Sequence, residues 1–196
     1  MDTLTAIHTR RSIRKYTGQG VAEETITILL RAAMAAPSAG NEQPWHFVVI
    51  TDRTILDAIP GFHPYAAMLK HASVAILVCG HLALEKYQGY WVQDCSAAAQ
   101  NLLLAATSLG LGAVWTGVHP MPDRVAGMRK LLNLPEQVIP FALIPLGYPA
   151  EHPGPADRFD PSRIHRNGWQ APVPAVAREG CPLPRISQVG PVWILL

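Results

Sequence analysis

The sequence has few charged side chains, and this scarcity excludes one class of function. Charged residues make up 15% of the 196-residue chain, and the formal net charge is only +2. An average soluble domain has about 25% charged residues. A balance so close to neutral provides no extended basic surface for nucleic acid. The low charge content instead favours a chain that buries part of its surface against a partner.

Cysteine is also scarce, and long apolar runs are missing. Cys79, Cys95 and Cys181 are far apart in the sequence, so they indicate no disulfide framework and fit a reducing cytoplasm. No apolar run reaches the roughly 18 residues that a membrane helix requires, and the first residues do not resemble a signal peptide. We therefore expect a soluble, cytoplasmic protein without a membrane partner.

Several catalytic and nucleotide-binding motifs are absent as well. The glycines form neither a G-x-G-x-x-G fingerprint nor a P-loop, and no serine lies in a G-x-S-x-G elbow. Asp94 and Glu85 do not form an evident acid pair. Structural roles without a metal are expected for the histidines, which lack ligand spacing: His46, His63, His71 and His81. No catalytic side chain can be named from the sequence.

The apolar periodicity predicts one domain over residues 1–169, followed by a proline-rich tail of uncertain role at residues 170–196. The fold class expected is α+β, with a sheet of about four strands. Helices are predicted at residues 3–9, 23–35, 53–59, 88–109 and 123–132, with a short helix or lid at 65–71. Strands are predicted at residues 46–51, 73–79, 113–118 and 139–146.

A basic segment near the start, residues 9–16 (TRRSIRKY), is the first candidate binding element. It contains Arg10, Arg11, Ser12 and Arg14. Guanidinium groups present a planar fork of donors that matches two phosphate oxygens at once, and the serine adds a hydroxyl donor. Taken alone, the segment also fits a basic patch on a solvated loop or a kinase target.

Two later segments have the composition of a site for a polar heterocycle. Residues 36–45 (APSAGNEQPW) are rich in small and amide side chains, and residues 109–117 (LGLGAVWTG) follow a long apolar helix. Purely structural roles remain open for some residues of these two segments. Trp115 fits an ordinary core position, and Asn41 and Gln43 fit residues that cap a loop.

Together these motifs resemble the flavin-dependent nitroreductase family. The resemblance rests on TRRSIRKY, AAPSAGNEQPWHFVVI, AAAQNLLLAATSLGLGAVWTG and IPLGYP, in that order, and covers roughly residues 7–158. It implies an α+β fold with a mostly antiparallel sheet surrounded by helices, in an intertwined homodimer. It also implies tightly bound flavin mononucleotide (FMN) at the subunit interface.

The resemblance assigns roles residue by residue. Phosphate binding falls to Arg10, Arg11, Ser12 and Arg14, and a late arginine, Arg158, completes the phosphate site. Some family members carry a lysine where this chain has Ala156, which indicates a weaker or a rearranged phosphate site. Arg163 and Arg166 are alternatives to Arg158. The loop that approaches the flavin from the other subunit contains Pro37, Ser38, Ala39 and Asn41. The segment along the isoalloxazine ring contains Trp115, Thr116 and Gly117.

The implied activity is an FMN-dependent oxidoreductase that takes hydride from NAD(P)H. Nitroaromatics, quinones or another small molecule would accept the electrons in a ping-pong cycle. Two alternatives remain open. One is an enzyme of the same fold with a specialised substrate, either a reductive dehalogenase or a flavin-degrading oxygenase. The other is an FMN-binding protein without turnover.

Overall fold

The computed structural model describes residues 1–154 and 156–169, and the chain divides into two units. The larger unit spans Met1–Pro155, and the second begins at Ala156. The second unit contains one short turn of 3₁₀ helix, Pro161–Arg163, among its described residues. The predicted tail at residues 170–196 lies outside the described residues, as does Cys181.

The larger unit contains five α-helices among its described residues: α1 (Thr3–Thr9), α2 (Glu23–Met34), α3 (Arg53–Ala58), α4 (Trp91–Ser108) and α5 (Pro122–Leu132). The helices predicted at residues 3–9, 23–35, 53–59 and 123–132 are confirmed to within one residue at each end. The long helix begins later than predicted, because Gly89 has a left-handed backbone with φ of 89°. The segment predicted as a short helix or lid contains a 3₁₀ turn, Ala67–Lys70.

The same unit contains one sheet, whose strands are β1 (Trp45–Ile50), β2 (Val74–His81), β3 (Gly112–Ala113), β4 (Thr116–Gly117) and β5 (Val138–Gly147). The order is β1-β2-β5-β3, and β4 also pairs with β5. All these pairings are antiparallel. The predicted α+β fold with a mostly antiparallel sheet is confirmed.

The single strand predicted at residues 113–118 is interrupted, so the sheet has five strands instead of four. Ala113 pairs with Leu146 and Thr116 with Leu143, so the two short strands share one register along β5. Between them, the backbone N–H of Val114 donates to the carbonyl of Pro145 at 3.2 Å. Proline has no N–H to donate in return, so the ladder breaks at this position.

The sheet is covered on both faces, which explains the continuous apolar run of β2. Val74, Ile76 and Val78 belong to one buried cluster, which also contains side chains of α2 and α4. Ala75 and Leu77 belong to a second cluster on the opposite face, with side chains of α3 and α5. Successive strand residues point to opposite faces, so a strand between two helical layers is apolar at every position.

Candidate functional site

A cleft of about 420 Å³ lies on the larger unit, where the basic segment meets β4. Its volume falls within the range of roughly 300–1,000 Å³ that is typical of small-molecule sites. One wall is formed by residues 114–117, and the other by side chains that follow α3, namely Pro64, Tyr65, Ala67 and Met68. Arg14 also lines the cleft and brings a positive charge to it.

The basic segment reaches this cleft because its backbone is attached to the β3 end of the sheet. The N–H of Ile13 donates to the carbonyl of Ala113 at 3.0 Å, and Ser12 forms a parallel bridge with Ala113. A Cβ atom on Gly112 would come within 2.6 Å of the Ile13 side chain. The close approach of Ile13 to the strand therefore requires glycine at position 112.

Glu151 holds the middle of the basic segment from the opposite side. Its Oε1 accepts hydrogen bonds from the backbone N–H of Arg14 at 2.5 Å and from that of Lys15 at 3.1 Å. These two bonds favour the ionised carboxylate, and they lower the pKa of Glu151 below its usual value. The carboxylate thus orients the backbone of the arginine that lines the cleft.

The three arginines of the segment have different surroundings. The Arg11 guanidinium donates to the carbonyls of His8, Arg10 and Gly154, at 2.8, 2.7 and 2.9 Å. Most of its donor capacity is therefore used within the chain. Arg10 is half-buried and also has a partner within the chain. Arg14 is exposed and lines the cleft, so its guanidinium is best placed to meet an anion.

Residues 115–117 line the cleft. The side chains of Trp115 and Thr116 also contact the interior of the protein. Trp115 is half-buried and packs edge-to-face on Phe141, with ring centroids 5.5 Å apart. The Thr116 hydroxyl donates to the carbonyl of Leu143 at 2.8 Å. The tryptophan therefore combines the core role that was left open with a place in the cleft wall.

Arg124, which the sequence did not single out, and His63, for which it predicted only a structural role, converge on Gly117. The carbonyl oxygen of Gly117 lies 3.1 Å from Nε2 of His63 and accepts a bond from Nη1 of Arg124 at 2.8 Å. The Arg124 guanidinium also lies over the ring of Tyr65, 5.1 Å from its centroid. This cluster connects the two walls of the cleft, and no local motif indicates it.

The predicted loop with Pro37, Ser38, Ala39 and Asn41 does not line this cleft in the single chain. Its own bonds are those of a capped loop, because Gln43 donates through Nε2 to the Asn41 side chain at 2.9 Å. The N–H of Gln43 also donates to the Ser38 hydroxyl at 3.1 Å. Asn41 and Gln43 therefore have the loop-capping role that the sequence left open.

Arg158 lies in the second unit, where its residue is exposed. Its assignment to the phosphate site stays a prediction. The nearby alternative Arg163 forms an ion pair with Asp160, with 3.0 Å between Nε and Oδ2. Arg166, the other alternative, is exposed in the same unit.

Residues 1–154 and 156–169 contain neither a candidate metal site nor a helix that could span a membrane. No group of three or more histidine, cysteine, aspartate or glutamate side chains could hold a metal ion there. No helix in the same residues combines the length and the hydropathy that crossing a bilayer requires. His63, for example, is buried and bonded to the backbone, and His46 lies beside the ring of His81 at a centroid distance of 5.2 Å.

Comparison with known proteins identifies the family to which this fold and cleft belong. A family model described as the Nitroreductase family matches residues 7–73 and 62–148. A protein from Methanothermobacter thermautotrophicus is 62% identical over 169 residues, which is 86% of this chain and 88% of that protein. It carries the provisional name NADH dehydrogenase/NAD(P)H nitroreductase. The chain belongs to the nitroreductase family, as its motifs predicted.

Solved structures agree with this assignment. A crystal structure from Parabacteroides distasonis, with the same provisional name, is 48% identical and has a TM-score of 0.82. The alignment covers 85% of this chain and 98% of that one. A provisionally named nitroreductase from Desulfovibrio desulfuricans, solved in complex with FMN, is 32% identical with a TM-score of 0.75. That alignment covers 87% of this chain and 99% of the other.

Proposed function

We propose that the cleft binds FMN and that the protein is an NAD(P)H-dependent FMN oxidoreductase. The observation that carries the proposal is that Arg14 and residues 115–117, far apart in sequence, line one cleft of about 420 Å³. An arginine suits the anionic part of a flavin nucleotide, and a wall of backbone and aromatic side chain suits its planar ring. The residues present therefore fit the cofactor.

The chain's own residues have distinct tasks in this proposal. Arg10, Ser12 and Arg14 bind the phosphate and the polar edge of the cofactor, and Arg158 completes the phosphate site. Arg11 and Glu151 orient the segment through bonds to backbone groups. When bound, FMN supplies the hydride and electron transfer, so that no side chain has to act as a nucleophile.

NAD(P)H is the electron donor in the proposed reaction, and nitroaromatics, quinones or another small molecule accept the electrons. The names of the relatives support this reaction class, because they describe NAD(P)H nitroreductases. Donor and acceptor would enter the same cleft in turn, which is a ping-pong cycle. Pro64, Tyr65 and Met68 form an apolar wall of that cleft, against which each would bind.

We also propose that the protein is a homodimer. Large apolar side chains of α1 and α2 are exposed in the single chain: Leu4 at 55%, Ile7 at 47%, Ile28 at 49% and Met34 at 51%. Both helices pack on α4, and exposed apolar side chains of this kind are typical of a protein–protein interface. In such a dimer, the loop with Pro37, Ser38, Ala39 and Asn41 would approach the cofactor of the partner subunit.

The visible spectrum and the flavin content of the purified protein test the cofactor. We expect a yellow protein that releases FMN on denaturation and oxidises NADH or NADPH continuously in the presence of a nitroaromatic or a quinone. The Arg10→Ala/Arg14→Ala double variant should lose FMN, whereas Lys130→Ala, at an exposed position of α5, should retain it. Full FMN in the double variant would contradict the phosphate assignment. A single bleaching by NADH, without turnover, would indicate a flavin-binding protein that is not an enzyme.

A further inference from the structure

Two buried carboxyl groups, Glu42 and Asp94, meet where the loop at residues 38–43 contacts α4. The exposed fraction is 6% for Glu42 and 4% for Asp94. Oε2 of Glu42 accepts hydrogen bonds from the backbone N–H of Lys86 at 2.7 Å and of Tyr87 at 3.1 Å. Oδ1 of Asp94 accepts one from the N–H of Ala39 at 3.0 Å. The pair therefore connects three segments of the chain.

The other oxygen of each carboxyl group is buried without a hydrogen-bond donor. Oε1 of Glu42 and Oδ2 of Asp94 are both buried in this way, and the two carboxyl groups lie within hydrogen-bonding range of each other. Two ionised carboxylates in this position would repel each other and leave both oxygens unsatisfied. A single proton between them gives each oxygen a partner and removes one of the two charges.

The surroundings place that proton on Asp94. Burial raises the pKa of Asp94, and the adjacent Glu42 raises it further, although the N–H of Ala39 opposes the change. Burial also acts to raise the pKa of Glu42, but the backbone N–H groups of Lys86 and Tyr87 outweigh it and lower that pKa below its usual value. Asp94 is therefore the donor and Glu42 the acceptor, as in other carboxyl pairs that share one proton.

We propose that Glu42 and Asp94 share one proton and that the protonated pair positions the loop at residues 38–43 for cofactor binding. This inference rests on the proposed function, which assigns that loop to the flavin site of the partner subunit. Hydrogen bonds connect the pair and its neighbour Lys86 directly to the loop. Asp94 binds the N–H of Ala39, and Lys86, beside Glu42, donates through Nζ to the carbonyl of Gly40 at 3.2 Å. Glu42 and Asp94 are positioning residues, since they act through the loop.

The proposal makes the loop sensitive to a rise in pH. The charged groups that interact with the pair, among the described residues, are Lys86 and Glu85. Lys86 favours an ionised Glu42, and Glu85 disfavours a second negative charge on Asp94. Because the pKa of Asp94 is raised, the pair is intact below that pKa and is lost as the pH rises through it. The two carboxylates then repel each other, and the bond to Ala39 weakens.

The first experiment detects the proton itself. Infrared difference spectra of the purified full-length protein should show a protonated carboxylic acid band that persists well above the ordinary pKa of aspartate. The band should vanish in Asp94→Asn and remain in Glu24→Gln, a control at an exposed position of α2. A wild-type protein without such a band, or a band that survives in Asp94→Asn, would overturn the proposal. The measurement does not depend on FMN.

The second experiment tests positioning. The amide of an asparagine at position 94 can still accept from Ala39 and can donate permanently to Glu42, so Asp94→Asn should replace the shared proton. In the wild-type protein, hydrogen exchange of the Ala39 amide, corrected for its intrinsic rate, should accelerate as the pH rises through the pKa of Asp94. The Asp94→Asn variant should show no such acceleration, while Asp94→Ala should exchange about tenfold faster at every pH. Equal exchange in all three proteins would overturn the positioning role.

Cofactor affinity separates this inference from the proposed function. The dissociation constant of FMN should increase in the wild-type protein as the pH rises through the pKa of Asp94. In Asp94→Asn it should stay within about twofold of the low-pH wild-type value, whereas Asp94→Ala should bind about tenfold more weakly. FMN affinity lost equally in both variants would contradict the inference. If the wild-type protein bound no FMN, the proposed function would fail, and the infrared and exchange data would still decide whether the pair holds the loop.

Discussion

Nε2 of His63 lies 3.1 Å from the carbonyl oxygen of Gly117, and this contact joins the two walls of the cleft. Nδ1 of the same ring accepts the backbone N–H of Tyr65 at 3.3 Å, so Nε2 carries the proton that Gly117 receives. The ring is fully buried and must be neutral to make both bonds. A histidine without a recognisable motif thus holds the wall that contains Tyr65.

The His63 contact predicts a dependence on acidic pH. Burial lowers the pKa of His63 below its usual 6.5, and the nearby Arg124 lowers it further. The neutral ring therefore stabilises the cleft at pH above 6.5, and this contribution is lost as the pH falls through the lowered pKa. Protonation would remove the acceptor for Tyr65 and place a second cation beside Arg124. We expect the KM for the electron acceptor to rise in acid.

Two variants check this prediction. His63→Gln can still donate to Gly117 but does not titrate, so its KM should lack the acid-dependent rise. His63→Ala loses both bonds of a buried group, which costs about 1–3 kcal/mol, and should raise KM at neutral pH by about tenfold. Steady-state kinetics at several pH values, with flavin content measured in parallel, decide the matter. An unchanged pH profile in His63→Gln would contradict the assigned role.

Arg11 should contribute to stability more than to cofactor affinity. Its guanidinium donates to three backbone carbonyls, and the bonds to His8 and Gly154 are at exposed positions where water can replace them. We therefore expect Arg11→Ala to lower the free energy of unfolding by about 1 kcal/mol. Urea denaturation measures this, with the exposed Lys130→Ala as a control that should change it by less than about 0.5 kcal/mol. A variant of normal stability that binds no FMN would refute the assignment.

Glu151 predicts a second acid-dependent effect, on cofactor binding. The N–H groups of Arg14 and Lys15 lower the pKa of Glu151 below its ordinary 4.5. Its contribution is therefore fully present above pH 4.5 and is lost as the pH falls through the lowered pKa. Both bonds reach the same oxygen, Oε1, so Glu151→Gln should retain the geometry without the titration.

Fluorescence titration with FMN compares the Glu151 variants. Glu151→Ala should weaken FMN binding at neutral pH by about fivefold, which corresponds to roughly one lost hydrogen bond. Glu151→Gln should bind close to the wild-type level at neutral pH. The FMN phosphate titrates equally in both proteins. The difference between the pH dependence of FMN affinity in the wild type and in Glu151→Gln therefore reports the Glu151 carboxyl group alone. The prediction fails if Glu151→Ala binds FMN as tightly as wild type.

Gly112 should be intolerant of a side chain, because a Cβ there would come within 2.6 Å of Ile13. Gly112→Ala would displace Ile13 and, with it, the basic segment. Overpacking of this kind typically costs about 1–3 kcal/mol, and we expect both the melting temperature and the flavin content to fall. Gly20→Ala is the matched control, since nothing lies within 4 Å of a Cβ at that position. Equal behaviour of the two variants would argue against the close packing.

Much of the site could be predicted from short motifs, because some of its residues are adjacent in sequence. The basic segment and residues 115–117 were both expected to meet one ligand, and Arg14 and residues 115–117 do line one cleft. The roles within the basic segment could not be predicted. Arg11 and Arg14 are three residues apart, and only the position of Gly154 shows that Arg11 is bound to the backbone.

The sequence by itself determined the family and the approximate positions of most helices and strands. These depend on apolar periodicity and on contiguous motifs, which are local properties of a chain. Only the tertiary structure decided that His63 meets Gly117 and that Glu42 meets Asp94. Such contacts depend on strand register and on the packing of loops against helices, which bring together residues that no sequence spacing relates. The interruption of the strand opposite Pro145 arises in the same way, since it requires the register along β5.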